Sequence, residues 1–183
     1  MAIAISTPAG QNYDGVQRAL HWIMAALIFL AIAAGIGATF LAKGSPERAQ
    51  TFMIHRSLGM TALVLVAFRV AYRLFRGAPP YAAPLGRLTG LAAHAAHFAL
   101  YFLMIALPVS GYLLTSAAGR PVPWFGLFEW PSLAPQDKGL ADSAAQAHFW
   151  LAWTIGAVLT LHLAAVIWHR YIKRDGVLAR MWP

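Results

Sequence analysis

The 183-residue chain contains no cysteine, which excludes disulfides, thiolate metal sites, iron–sulfur clusters and covalent c-type haem attachment. Charge is scarce as well: Asp, Glu, Lys and Arg together make up 11% of the residues, and only six residues are acidic. Soluble domains carry about 25% charged residues, so a 60% hydrophobic chain with mean hydropathy +0.59 falls outside that class. The formal net charge of +8 does not point to nucleic acid. Its basic residues sit at the ends of apolar runs and not along one soluble face.

What the chain has is long uncharged runs. Ala19 to Ala42, Ala49 to Phe68 (broken by Arg56), Leu88 to Gly119 and Ser143 to His169 are otherwise free of Asp, Glu, Lys and Arg. A helix crosses a bilayer with about 20 apolar residues. The expectation is an all-α membrane protein in lipid, a single four-transmembrane-helix bundle over residues 1–183 with spans at about 19–42, 52–74, 90–116 and 145–169. The run after Arg18 is 24 residues long, beyond the roughly 7–15 of a signal-peptide core, and no basic region opens the chain, so the first span is expected to stay.

Breakers divide the runs. Met1 to Arg18 reads as a tail and interfacial turn with Pro8, Gly10, Asn12 and Asp14. Lys43 to Gln50 is a tight turn in which Ser45 is placed to cap the second helix, making the first two spans antiparallel neighbours. Phe75 to Thr89, with Gly77, Pro79, Pro80, Pro84 and Gly86, is a linker. Arg120 to Asp142 is rich in proline and in Trp124, Phe125, Phe128 and Trp130, a mixture suited to the membrane interface. Pro108 is expected to kink the third helix. Nine Lys and Arg fall at one side of the spans and five at the other, so the positive-inside rule places both termini in the cytoplasm.

Seven histidines stand in or at the ends of these spans: His21, His55, His94, His97, His148, His162 and His169. With that topology, His55 and His148 lie towards the outer face and His21, His94 and His97 towards the inner. His162 follows His148 by 14 residues, which on a helix is about 21 Å deeper and within about 40° of the same face. The fourth helix thus offers one histidine at each of two levels. The partner at the outer level is His55; at the inner level it is His21, with His94 and His97 as competitors. Facing histidines at one depth are what a bis-histidine haem requires, and two such pairs predict two stacked haems. Arg69, 14 residues after His55, falls at the inner level, where it is either a propionate partner or a charge reaching for the interface. Gly35 and Gly111, 14 residues after His21 and His97, and Gly59, one turn after His55, are expected to let a porphyrin approach the backbone or to serve helix packing. Other readings of the histidines are hydrogen bonding between helices and a histidine-lined metal or proton path.

The chain also carries Tyr13-x-x-x-Gln17-x-x-x-His21-Trp22, Met53-Ile54-His55-x-Ser57-x-Gly59, Gly90-Leu91-Ala92-x-His94-x-x-His97, Leu107-Pro108-x-x-Gly111, Trp124-Phe125, the His148/His162 pair and Asp175-x-x-Leu178-x-Arg180-Met181-x-Pro183. As a set these resemble the bacterial cytochrome b561 family over nearly the whole chain after Gly10. The resemblance implies four membrane helices of the cell inner membrane, two non-covalent haem b groups ligated by His21 with His162 and by His55 with His148, and ubiquinone as redox partner. It further implies oxidation of superoxide, or of another outer-side donor. Arg56 departs from the pattern, standing where an apolar residue would be at home; it would attract an anionic donor or pair with a propionate. His169 and Arg18 are candidate quinone contacts. A haem b anchor subunit relaying electrons for a peripheral dehydrogenase or hydrogenase is the alternative reading.

Overall fold

The structure, a computed structural model, describes residues 12–80 and 86–182. The breakers Pro8, Gly10 and Pro84, and Pro183 of the closing motif, lie outside the described residues. Four long helices follow one another: α1 (Gly15–Phe40), α2 (Pro46–Arg76), α3 (Arg87–Ala117) and α4 (Lys138–Trp168). All four are long and apolar enough to cross a membrane. Between α3 and α4 runs a short antiparallel hairpin, β1 (Val122–Trp124) and β2 (Phe128–Trp130), with Val122 opposite Trp130.

The helices exceed the apolar spans because capped polar turns extend them. Asp14 accepts a hydrogen bond from the Gln17 backbone N–H (3.0 Å) and opens α1. Ser45 does the same for Arg48 (3.2 Å), with Pro46 following at the first helical position, as expected. Asp137 accepts from the N–H of Leu140 (2.9 Å), so α4 begins at Lys138, seven residues ahead of its expected span. Lys138 and Asp142, read as connection, are helical. At the other ends Gly77 stops α2 with φ 71° and an N–H donated to the Arg73 carbonyl (2.8 Å), confining the α2–α3 linker to residues 77–86. Pro108 sits inside α3, which continues through it. α4 runs on through one wider turn at His169–Lys173, closed by Arg174 in the left-handed region (φ 53°).

Packing is uneven. α1 lies against α2, α2 against α3, and α3 against α4, where Leu100, Leu103 and Ile155 form a buried cluster with Leu107, Leu151 and Leu159 around it. No Cα of α4 comes within 8 Å of α1 or α2. Large side chains such as Phe29, Phe98, Trp150 and Trp153 are exposed on the helices, as surfaces facing lipid are.

The hairpin is pinned to α2. Its tip is a turn with Phe125 (φ 49°) and Gly126 (φ 75°) both left-handed, closed by the Leu127 N–H to the Trp124 carbonyl (2.9 Å), the geometry that suits strand twist. Glycine adopts it freely; phenylalanine does not. Fully buried Ser57 holds the strained residue by accepting the Phe125 N–H (2.9 Å), and its hydroxyl faces the carbonyls of Met53 (2.8 Å) and Pro123 (3.1 Å). Thr61 accepts from the Trp124 indole (3.0 Å), and Met60, Tyr112 and Val122 pack beneath. Ser57→Ala leaves the Phe125 N–H without its acceptor, and is expected to destabilise the fold by about 1–3 kcal/mol. Thermal unfolding in detergent, together with faster proteolysis at the hairpin tip, measures this.

The opposite end gathers the first and last described segments. The Tyr13 N–H donates to the Arg180 carbonyl (3.2 Å), the Trp22 indole to Met181 (2.8 Å), and Arg18 to Trp182 (2.9 Å). Arg180, buried, donates to the carbonyls of Pro79 (2.7 Å) and Pro80 (3.0 Å) and lies over the Tyr13 ring. The Gln17 backbone N–H, opposed by partial desolvation and aided by the Gln17 side chain, Arg76 and Tyr72, holds the Asp14 carboxyl below the usual carboxylate range.

Candidate functional site

α4 presents His148 near the hairpin end and His162 near the end where the described termini meet. Opposite His148 stands His55 from α2, ring centres 6.1 Å apart and planes at 90°. Opposite His162 stands His21 from α1, at 6.5 Å and 62°. His97 from α3 also reaches His162, at 5.9 Å and 66°. His94 stays outside, its Nδ1–H donated to the Gly90 carbonyl of its own helix (2.7 Å). His169 is drawn to Asp175 (2.5 Å).

These separations have a chemical meaning. An imidazole nitrogen binds a first-row metal ion at about 2 Å and lies about 1 Å from its ring centre, so two imidazoles trans across one ion have centres about 6 Å apart. Both pairs fit an iron held by two histidines. Helix packing distinguishes the two neighbours of His162: α3, which carries His97, is packed against α4, whereas α1, which carries His21, is not, so only the His21 side would leave room for a planar group between the rings. The same holds for His55 and His148, from α2 and α4. Among the described residues no three His, Cys, Asp or Glu side chains gather to hold a bare metal ion.

The hairpin-end pair is oriented by one device used twice. His55 donates its Nδ1–H to the carbonyl of Ala31 (2.8 Å), and a Cβ on Gly35, the residue four positions on, would lie 2.9 Å from the His55 ring. His148 donates its Nδ1–H towards the carbonyl of Leu107 (3.0 Å), with the Ser110 hydroxyl at 3.1 Å, and a Cβ on Gly111, again four positions on, would lie 2.9 Å from its ring. A carbonyl can only accept, so each Nδ1 carries the proton and each Nε2 presents its lone pair for a metal. The two glycines therefore admit the imidazoles themselves, a neighbour that the spacing alone does not name. Gly59 serves helix packing instead, since its nearest neighbour is Pro108 Cβ at 4.0 Å, a close crossing of α2 and α3.

The other pair is held differently. Arg69 reaches across from α2 with Nη2 at 3.1 Å from His21 Nδ1, Nε donating to the Tyr101 hydroxyl (3.1 Å), and the guanidinium 5.8 Å from the Tyr101 ring centre. A guanidinium can only donate, so Nδ1 accepts and the His21 proton sits on Nε2. Presenting Nε2 to iron requires Arg69 to release Nδ1, which its hold on Tyr101 permits without removing the charge. Trp22 lies edge-on to His21 at 5.4 Å.

Arg56 points away from His55: its Nε donates to the Phe52 carbonyl (3.1 Å) and its Nη1 to Pro121 (2.9 Å), tying α2 to the hairpin. Arg18 gives Nη1 to the Trp182 carbonyl, and its buried Nε has no hydrogen-bond partner among the described residues. Sequence reasoning missed the Ala31 and Leu107 carbonyls, since backbone acceptors carry no residue signature, but the glycines four positions beyond them were visible. It also missed Tyr101.

Comparison with known proteins gives the family. The family model for prokaryotic cytochrome b561 matches residues 12–183. Cytochrome b561 homolog 2 of Escherichia coli is 31% identical over 175 residues, 96% of this chain and 93% of the relative. The probable superoxide oxidase CybB of Yersinia pestis is 32% identical over 94% of this chain and 97% of its own length, and cytochrome b561 homolog 1 of E. coli 26% identical over the same shares. With a family match spanning nearly the whole chain, four helices able to cross a membrane and histidines paired between them, this chain belongs to the prokaryotic cytochrome b561 family, multi-pass bacterial membrane proteins of electron transfer that bind haem b.

Proposed function

We propose that the protein holds two b haems, one between His55 and His148 and one between His21 and His162, and carries electrons between an outer-side donor and ubiquinone in the inner membrane. The observation that carries this reading is the pair of trans-like imidazole separations, 6.1 and 6.5 Å, both spanning helices whose backbones stay apart. A haem with both axial positions filled by histidine supplies one-electron transfer and leaves no open position for oxygen.

The chain's own groups orient the ligands, shield them in apolar helices and set the charge around them. The excess of Lys and Arg at the terminal end supports a cytoplasmic position for it, with the hairpin outside. The relative's name, probable superoxide oxidase, supports superoxide as donor. The outer side carries five basic and four acidic residues, so attraction of an anion is local, at Arg56 and Arg120 beside the hairpin. Ubiquinone meets the terminal end, where Arg18 and His169 are candidate contacts; His169 is engaged by Asp175, whereas Arg18 gives Nη1 to Trp182 and keeps an unpartnered Nε.

Purified protein given a superoxide source and a soluble ubiquinone analogue tests the reaction. Haem reduction followed by quinol formation, both abolished by superoxide dismutase, is expected. Haem that stays oxidised under superoxide, with a stoichiometric soluble subunit copurifying, would replace this reading with an anchor subunit.

A further inference from the structure

Arg69 is a half-buried positive charge on the membrane-spanning helix α2, and no acid among the described residues balances it. Among the described residues its partners are a phenol and an imidazole, neither of which neutralises a guanidinium. The acids at that end are engaged elsewhere, Asp14 with Gln17, Tyr72 and Arg76, and Asp175 with His169. Arg73, one turn on, is held by Gln17 and Tyr13 at the end of the bundle. The hairpin-end pair has no equivalent, because Arg56 turns out to the hairpin and both imidazoles there donate to neutral carbonyls.

We infer that Arg69, tethered by Tyr101, makes the His21/His162 site the electron-accepting end of the protein by raising its reduction potential above that of the His55/His148 site. The inference rests on the two-haem reading. Reduction adds one electron and lowers the charge at the iron by one. A nearby cation favours the reduced form, and the low dielectric between the helices leaves that attraction poorly screened. The hairpin-end ligands work the opposite way: an Nδ1–H given to a carbonyl raises imidazole basicity and favours the oxidised form. An electron that enters at the hairpin end therefore runs downhill to the terminal end. Tyr101 is a positioning residue, since it keeps the guanidinium at this level when His21 Nδ1 is released.

The test is a spectroelectrochemical titration of the full-length protein, beginning with its haem content. Wild-type protein with fewer than two haems refutes the two-haem reading before any potential is read. With two bound, two one-electron steps are expected, and His162→Ala, by removing one of them, assigns them to sites. Arg69→Met is expected to weaken reduction of the His21/His162 haem about tenfold, a fall of about 59 mV for one electron, with the other step unmoved. Arg69→Lys, which keeps the charge, is expected to stay within about threefold of wild type, and Tyr101→Phe to fall between. Equal movement of both steps, or no movement in Arg69→Met, overturns the inference. If Arg69→Met loads only one haem, Arg69→Lys decides: a tenfold fall there overturns a role for charge.

Discussion

Replacing His162 with alanine is expected to lower the haem b content of the purified protein from two per chain to one, with the remaining haem reduced as a single component. His162 is the residue to choose because it is common to every pairing at its level: His21 stands 6.5 Å from it and His97 5.9 Å. Neither can replace it, since removing it leaves α4 without a ligand there. His21→Ala is a milder lesion, because His97 still faces His162. His97 is not expected to rescue full occupancy: a porphyrin between His97 and His162 would have to part α3 from α4, where Leu103 and Ile155 are buried at 3% and 2% exposure. Haem content of the two variants beside His97→Ala, which should retain two haems, separates ligand from neighbour. Loss of a haem in His97→Ala equal to that in His21→Ala would contradict the assignment.

The second large effect lies at the other level and needs only one methyl group. In Gly111→Ala the new Cβ would sit 2.9 Å from Cε1 and 3.1 Å from Nδ1 of His148; in Gly35→Ala it would sit 2.9 Å from both Cε1 and Nδ1 of His55. A free side chain would swing aside at small cost, but a histidine holding a haem could not move without leaving both its carbonyl and the metal. We expect the fold to lose about 1–3 kcal/mol at most from such crowding, and the His55/His148 haem to be lost or to bind at least tenfold more weakly, while the other haem stays. Gly37→Ala, with nothing within 4 Å of its Cβ, is the control and should keep both haems. Haem retention on dilution into haem-scavenging apomyoglobin, followed optically, reads each site.

Much of this was legible in the sequence because a bilayer simplifies the problem. Uncharged runs marked the four helices, and the 14-residue interval on one helix placed His148 and His162 on one face before any partner was known. The ends of the helices were not legible to the same degree: hydropathy measures the apolar part, and the turns from Lys138 to Asp142 are helical because Asp137 caps them. The hairpin escaped for a related reason. Its strands are three residues each and its turn places phenylalanine in a conformation that propensity disfavours, held there by Ser57 from a distant helix. The imidazoles beside Gly35 and Gly111 were not legible, since spacing fixes the face and the level but not what fills the space. Arg69 was placed at the right level; its contact with His21 depends on side-chain reach across helices, which one-dimensional spacing does not contain.

The central claim is that two pairs of histidines each hold one haem, and the ratio of haem b to protein by pyridine haemochrome on full-length, monodisperse material tests it most directly. The account predicts a ratio of two, falling to one in His148→Ala and in His162→Ala separately and to none in the double variant. A wild-type ratio of one, or two haems surviving the loss of either histidine, would contradict it.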